Sequence, residues 1–144
     1  MTDATLPQHP FGTEITANDI VKQMQAANGW EDRYRTVIQL GKKLPVLPET
    51  FKHEELKVSG CESLVWLAHE TQDGQFHFMA DSDARIVRGL ITLVLAAYEG
   101  KNAEEIRAFD IDTYFEQLGL IAHLSPSRGN GLKAIVEQIK ALAD

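Results

Sequence analysis

The tetrapeptide Gln72-Asp73-Gly74-Gln75 constrains the fold of this chain more than any other short segment. Asp-Gly supplies the positive φ angles of a tight two-residue turn. Runs rich in apolar residues flank it, Ser63 to Thr71 before and Gln75 to Ala80 after, so the segment predicts an antiparallel hairpin. With Asp73 and Gly74 as the loop residues, Thr71 faces Phe76, Glu70 faces His77 and His69 faces Phe78. One face then carries Val65, Leu67, His69, Phe76 and Phe78, and the other Leu64, Trp66, Ala68, Glu70, His77 and Met79. Both faces are apolar near the start of the first strand. Helices should cover one face fully and the other in part.

The rest of the chain reads as helices. Pro7, Pro10 and Gly12 make residues 1–15 an extended N-terminal arm ahead of a single domain, 16–144. Thr16 with Asp19 forms a capping pair for a helix carrying Ile20, Met24 and Ala27, closed by Asn28-Gly29. A second helix starts near Trp30 and carries Tyr34, Val37, Ile38 and Gly41. Leu44-Pro45-Val46-Leu47-Pro48 is an apolar linker that cannot continue a helix, and Phe51 to Lys57 suits a short helical turn. After the hairpin, Ser82 or Asp83 should cap a helix reaching Tyr98, apolar almost throughout and therefore central. Asn102 with Glu105 caps a further helix. Asp112 should cap a short one that Gly119 closes, and Ser125-Pro126 opens the last, with its stripe of Leu132, Ile135, Val136, Ile139 and Leu142. The fold class is α+β, a small antiparallel sheet among several helices.

Composition narrows function by exclusion. A chain of 144 residues buries enough surface to fold without disulfide or structural metal. With 21 acidic and 14 basic residues, a net charge of -7 argues against direct nucleic-acid binding and suits steering toward a basic protein partner. The start of the sequence shows no basic, then apolar, leader, and the apolar run Leu90 to Tyr98 is too short to span a bilayer. A cytoplasmic location without membrane attachment is the expectation. Phosphate-loop, dinucleotide, nucleophile-elbow and metalloprotease motifs are absent.

The single cysteine, Cys61, rules out an internal disulfide and a multi-cysteine metal site. It lies in Val58-Ser59-Gly60-Cys61-Glu62-Ser63, ahead of the first strand. Gly60 permits a tight turn, and the polar neighbours suit a loop tip. Two readings stand side by side: a partly buried structural thiol and a reactive one. No Arg or Lys lies within three residues, and Glu62 opposes ionisation, so activation must come from elsewhere in the fold or from a partner. Arg128 is a candidate, because a cation in the first turn of a helix opposes the macrodipole; an ordinary surface arginine is the alternative. Asp81-Ser82-Asp83 offers too few acidic groups for a hard-metal site. His69 and His77 fall on opposite strand faces and cannot share a metal, and no metal site is expected. His123, before the Ser-Pro cap, could approach the Cys61 loop.

Several blocks resemble the SufE family of sulfur acceptors. Val58-Ser59-Gly60-Cys61-Glu62-Ser63-Leu64-Val65-Trp66-Leu67 is similar to its active-cysteine segment. Asp81-Ser82-Asp83-Ala84-Arg85-Ile86-Val87-Arg88-Gly89-Leu90 is similar to its second block, and Leu118-Gly119-Leu120 with His123 to Leu132 to its third. Trp30 to Tyr34 and Leu40 to Pro45 resemble its N-terminal helices. The arm, His9-Pro10-Phe11-Gly12-Thr13, resembles the CsdE branch, whereas Ser82-Asp83-Ala84 and Ser125-Pro126-Ser127 look more like SufE proper.

The resemblance implies an α+β fold like that of the IscU scaffold proteins. It implies that Cys61 accepts persulfide sulfur from a cysteine desulfurase, CsdA-like or SufS-like, and stimulates it. The sulfur would pass to a downstream acceptor in iron–sulfur cluster assembly or another sulfur-dependent route. Pyridoxal phosphate would belong to the partner, and this chain would bind no cofactor and be a carrier rather than an enzyme. Asp83, Arg128 and Glu116 fall at positions the family links with the acceptor site or docking. The alternative, an iron–sulfur scaffold, needs several thiolates where this chain has one. A peroxidatic redox sensor would want a cationic thiol pocket and a resolving thiol, and the local sequence supplies neither.

Overall fold

Within residues 6–58 and 64–143, which the computed structural model describes, six α-helices surround a two-stranded antiparallel sheet. Helices α1 (Ala17–Ala26) and α2 (Gly29–Gly41) precede two short 3-10 turns, Glu49–Phe51 and Glu54–Leu56. Strands β1 (Val65–Gln72) and β2 (Gln75–Ser82) follow, then α3 (Arg85–Tyr98), α4 (Ala103–Ala108), α5 (Ile111–Leu118) and α6 (Pro126–Leu142).

The hairpin has the register that its turn dictates. Thr71 pairs with Phe76, Glu70 with His77 and His69 with Phe78. Asp73 and Gly74 take φ of 55° and 80°, as a tight turn between twisted strands requires. Strand β2 reaches two residues further toward the base than its apolar run indicates, pairing Ser82 with Val65. Phe78 and Met79 lie on opposite faces and both are fully buried, so both faces are covered there.

Capping follows the chemistry of the cap residues at α1 and α4, where Thr16–Asp19 and Asn102–Glu105 form reciprocal capping boxes. Ser125 caps α6 by accepting from the Arg128 N–H, with Pro126 at the first helical position. Two expected caps are corrected. Asp110, not Asp112, caps α5, accepting from the Thr113 N–H and hydroxyl. Asp112 sits inside the first turn, two residues past the capping position. Neither Ser82 nor Asp83 caps α3, whose N-cap is Ala84 with no side-chain bond. Ser82 closes β2 instead, and its hydroxyl accepts from the Ala84 N–H at 3.1 Å.

Helix α3 is the centre of the core. Every residue from Gly89 to Tyr98 is buried. It packs on β2, α2 and α6, and α1 packs on α5. The α2–α3 crossing is close because glycines meet there: a side-chain carbon at Gly89 would lie 2.4 Å from the Val37 carbonyl oxygen, and one at Gly41 2.8 Å from the Gly89 nitrogen. The tyrosines beside the core differ. The Tyr114 hydroxyl donates to the Leu93 carbonyl at 2.8 Å. The buried Tyr98 hydroxyl has no hydrogen-bond partner among the described residues. Burial, with the Asp112 and Glu137 charges, pushes Tyr98 up to about 12.

Gly89→Ala should therefore destabilise the fold by about 2–3 kcal/mol in urea denaturation, because backbone on both helices must move apart. Tyr114→Phe should cost about 1 kcal/mol and Tyr98→Phe essentially nothing, since only the first loses a hydrogen bond. Equal losses in the two tyrosine variants would contradict this account of the core.

Candidate functional site

Cys61 lies outside the described residues, and its flanks define the site. The Val58 N–H donates to the Val65 carbonyl at 2.9 Å, and Lys57 bridges to Trp66. On the other side, the Leu64 N–H donates to the Asp83 carboxylate at 3.2 Å, and the Asp83 N–H donates back to the Leu64 carbonyl at 3.4 Å. The chain thus leaves Val58 and returns at Leu64 beside the base of the hairpin. Asp83, anticipated as an acceptor-site residue, clips the returning end.

Below this clip sits Asp81, whose carboxylate is 1% exposed. It accepts from the Leu47 N–H at 2.9 Å and the Ser82 N–H at 2.8 Å. Arg88 of α3 pairs with it while also donating to the Leu44 carbonyl. Lys52 approaches it at 3.5 Å. One side chain therefore joins the end of β2, the 44–47 linker, the stretch after the first 3-10 turn and the start of α3. Such burial of a charge is tolerated only with this density of partners.

Two cations, Lys52 and Arg88, stand near the hairpin base, and both are engaged by Asp81. Lys52 also lies 5.3 Å from the Trp66 ring centroid, over β1. The exposed apolar side chains nearest in sequence to these elements are Val46, 68% exposed, and Leu64, 40% exposed, unusual for their type.

The other anticipated residues lie apart from Asp83. Glu116 on α5 and His123, in the 3-10 turn Ile121–His123, line one groove with Arg33, Phe115, Leu120 and Lys133. Both are exposed. The His123 ring stacks on Trp30 of α2, with centroids 4.9 Å apart. Arg128 is exposed in the first turn of α6, with its N–H on Ser125. Among the described residues, no hydrogen bond or ion pair joins Glu116, His123 or Arg128 to Asp83. The expected approach of His123 to the Cys61 loop falls partly outside the described residues, and its described contact is with α2.

Sequence reasoning missed Asp81, read only as one of two acidic groups before a helix. Two of its partners, Leu47 and Lys52, lie about thirty residues earlier in the chain. It also missed a cluster at the other end of β2. His9, His77 and Glu99 meet there, although His9 was placed in an extended arm and His77 alone on a strand face.

The chain belongs to the SufE family. The family model, described as "Fe-S metabolism associated domain", matches residues 18–143. The chain is 44% identical over 142 residues to the sulfur acceptor protein CsdE of Escherichia coli (strain K12), covering 98% of this chain and 97% of that protein. An uncharacterized SufE-like protein of Rhizobium meliloti (strain 1021) is 46% identical over 131 residues, 88% of this chain and 94% of its own. Among solved structures, the fold is similar to the solution structure of a hypothetical protein from Thermus thermophilus. The TM-score is 0.71, the identity 18%, and the match covers 90% of this chain and 93% of that one. That likeness speaks to fold alone. No helix among the described residues is long and apolar enough to cross a membrane.

Asp81→Asn should destabilise the protein by about 3 kcal/mol, because it leaves Arg88 and Lys52 without their buried counter-charge. Asp83→Ala should cost under about 1 kcal/mol, since the bond it removes is exposed. Urea denaturation of the two variants checks both, and the reverse ranking would show that the exposed clip, not the buried hub, holds the hairpin base.

Proposed function

We propose that this protein is a sulfur carrier that takes a persulfide sulfur from a cysteine desulfurase onto Cys61 and passes it on. The observation that carries the reading is the match, over nearly the whole chain, to a protein named as a sulfur acceptor. The single cysteine supports it, because one thiol suffices for a carrier and not for a cluster scaffold.

The step conserves electrons. The Cys61 thiolate attacks the outer sulfur of the partner's cysteine persulfide. The partner's S–S bond breaks as the new one forms, and its cysteine leaves as a thiolate. Cys61 then bears the persulfide. Attack on the inner sulfur would give a mixed disulfide and release the sulfur, so docking must present the outer atom.

Lys52 and Arg88 are committed to Asp81, so the charge that favours the Cys61 thiolate comes from the docked partner. Pyridoxal phosphate belongs to that partner, and this chain acts as carrier and activator rather than as an enzyme. Glu116, His123 and Arg128 lie exposed, which suits docking. The downstream acceptor serves iron–sulfur cluster assembly or another sulfur-dependent route. A persulfide carrier suits a reducing compartment, and we place the protein in the cytoplasm.

Incubation with a desulfurase and cysteine, followed by mass spectrometry, should add the mass of one sulfur atom to the Cys61 peptide. Cys61→Ser should fold normally and abolish stimulation of desulfurase turnover; full stimulation by the serine variant would refute the role. Arg128→Ala should raise the concentration needed for half-maximal stimulation while leaving the thermal midpoint unchanged.

A further inference from the structure

The cluster of His9, His77 and Glu99 lies away from the hairpin base. His77 lies five residues along β2 from Ser82, roughly 17 Å of strand from the hairpin base. Three elements meet there: the N-terminal arm, β2, and the end of α3, where Glu99 is the C-cap.

The hydrogen bonds count the protons. His77 Nδ1 faces Glu99 Oε2 at 2.5 Å, and its Nε2 faces the Pro7 carbonyl at 3.2 Å. A carboxylate and a carbonyl only accept, and a neutral imidazole has one N–H. Only the imidazolium satisfies both contacts. His9 differs: its Nδ1 accepts from the Phe11 N–H at 3.2 Å, while its Nε2 faces the Phe78 carbonyl at 2.8 Å and Glu99 Oε1 at 3.3 Å. A neutral ring protonated at Nε2 meets all of these. The two rings stack at 5.5 Å, an arrangement that favours one charge over two.

The surroundings favour that one proton. Glu70 is the cross-strand neighbour of His77, and Glu70, Asp73 and Glu99 line the same cleft. Lys101, beyond Glu99 in the chain, is the nearest cation in sequence. Burial alone would raise the Glu99 carboxyl. Hydrogen bonds from His9, the Phe78 N–H and His77, with the His77 charge, outweigh it and hold Glu99 below its ordinary value. A metal ion would need the Nε2 lone pair of His9, yet that nitrogen must carry the proton while Nδ1 accepts from Phe11.

We propose that this cluster is a proton-dependent clasp: the His77 imidazolium bridges Glu99 to Pro7, holds the arm against β2, and loosens it on losing its proton. The arm is packed for such a role. Leu6 and Phe11 are buried, and Gly12 lies so close that a side-chain carbon there would sit 2.7 Å from Glu99 Cβ. The arm also covers a strand edge. Phe76 satisfies its outward peptide groups with Gly100 and Lys101, but those of Phe78 are taken by the side chains of Glu99 and His9. Release of the arm removes the His9 donor from the Phe78 carbonyl on this edge.

The sign follows from the donors. Raising the pH removes one His77 N–H and weakens the clasp. Lowering it far enough to protonate Glu99, below the ordinary carboxyl range, weakens the clasp from the other side. The clasp is tightest between those limits.

Two measurements on the full chain test this. Ring nitrogen-15 spectra at about pH 6 should show His77 protonated at both nitrogens and His9 as the Nε2–H tautomer. Hydrogen-exchange protection of the Phe11 and Ile15 amides, corrected for intrinsic rates, should fall roughly fivefold or more between about pH 6 and about pH 9. Protection within α3 should stay constant over that range. His77→Phe should give low arm protection at every pH with α3 protection retained; if that variant does not fold, the ring spectrum of the unaltered protein decides. A neutral His77 at pH 6, or arm protection that ignores pH, overturns the clasp. A shift of the His9 and His77 ring signals with one equivalent of Zn²⁺, reversed by chelator, overturns it in favour of a metal site.

Discussion

A buried carboxylate with two cationic partners and two backbone donors stands under the hairpin base, and the described site depends on it. Asp81 reaches the linker after α2 through Leu47, reaches α3 through Arg88, and draws in Lys52 from beside the first 3-10 turn. Apolar contact between packed segments is non-directional. Hydrogen bonds to a fixed carboxylate set where the linker lies and where α3 begins. The clip between Asp83 and Leu64 rests on that frame, two residues further along the chain.

The same arrangement has a consequence for sulfur chemistry. Cations beside a thiol lower its pKa and raise its thiolate fraction. Here two such cations stand near the flanks of the Cys61 segment, but their charge is already directed at Asp81. Under the proposed function, the partner's charges supply the activation on docking. The exposed Val46 and Leu64 side chains lie on elements that meet at this end of the molecule.

The hairpin has two functional ends. At its base, the Val58 bond to Val65 and the Leu64 bond to Asp83 anchor the chain on either side of the Cys61 segment. Toward its turn, His77 meets the N-terminal arm and the end of α3. Helix α3 runs between the two, with Arg88 at one end and Glu99 at the other, and is buried from Gly89 to Tyr98. Its close approach to α2 through Gly41 and Gly89 leaves little room for sliding. Both ends of the sheet are therefore held by one rigid helix.

Local chemistry made much of the fold readable. The Asp73-Gly74 turn set the strand register, because a two-residue loop allows one pairing and the side-chain period is two. The Thr16 and Asn102 capping pairs, the Ser125-Pro126 start and the apolar stripe of α6 were equally local, and they appear as read. Asp112 was expected to cap α5, yet Asp110 does; the backbone geometry of the helix start decides which side chain reaches the free N–H groups. The single cysteine and its family-like segment were legible too, since they are matters of residue identity. What only the tertiary structure decided is which distant groups meet: Asp81 with Arg88, Lys52 and Leu47, and His9 with His77 and Glu99. Most of those contacts join residues tens of positions apart. No propensity or periodicity encodes them, because a charge or an imidazole carries no local signal of the partner that packing will bring to it.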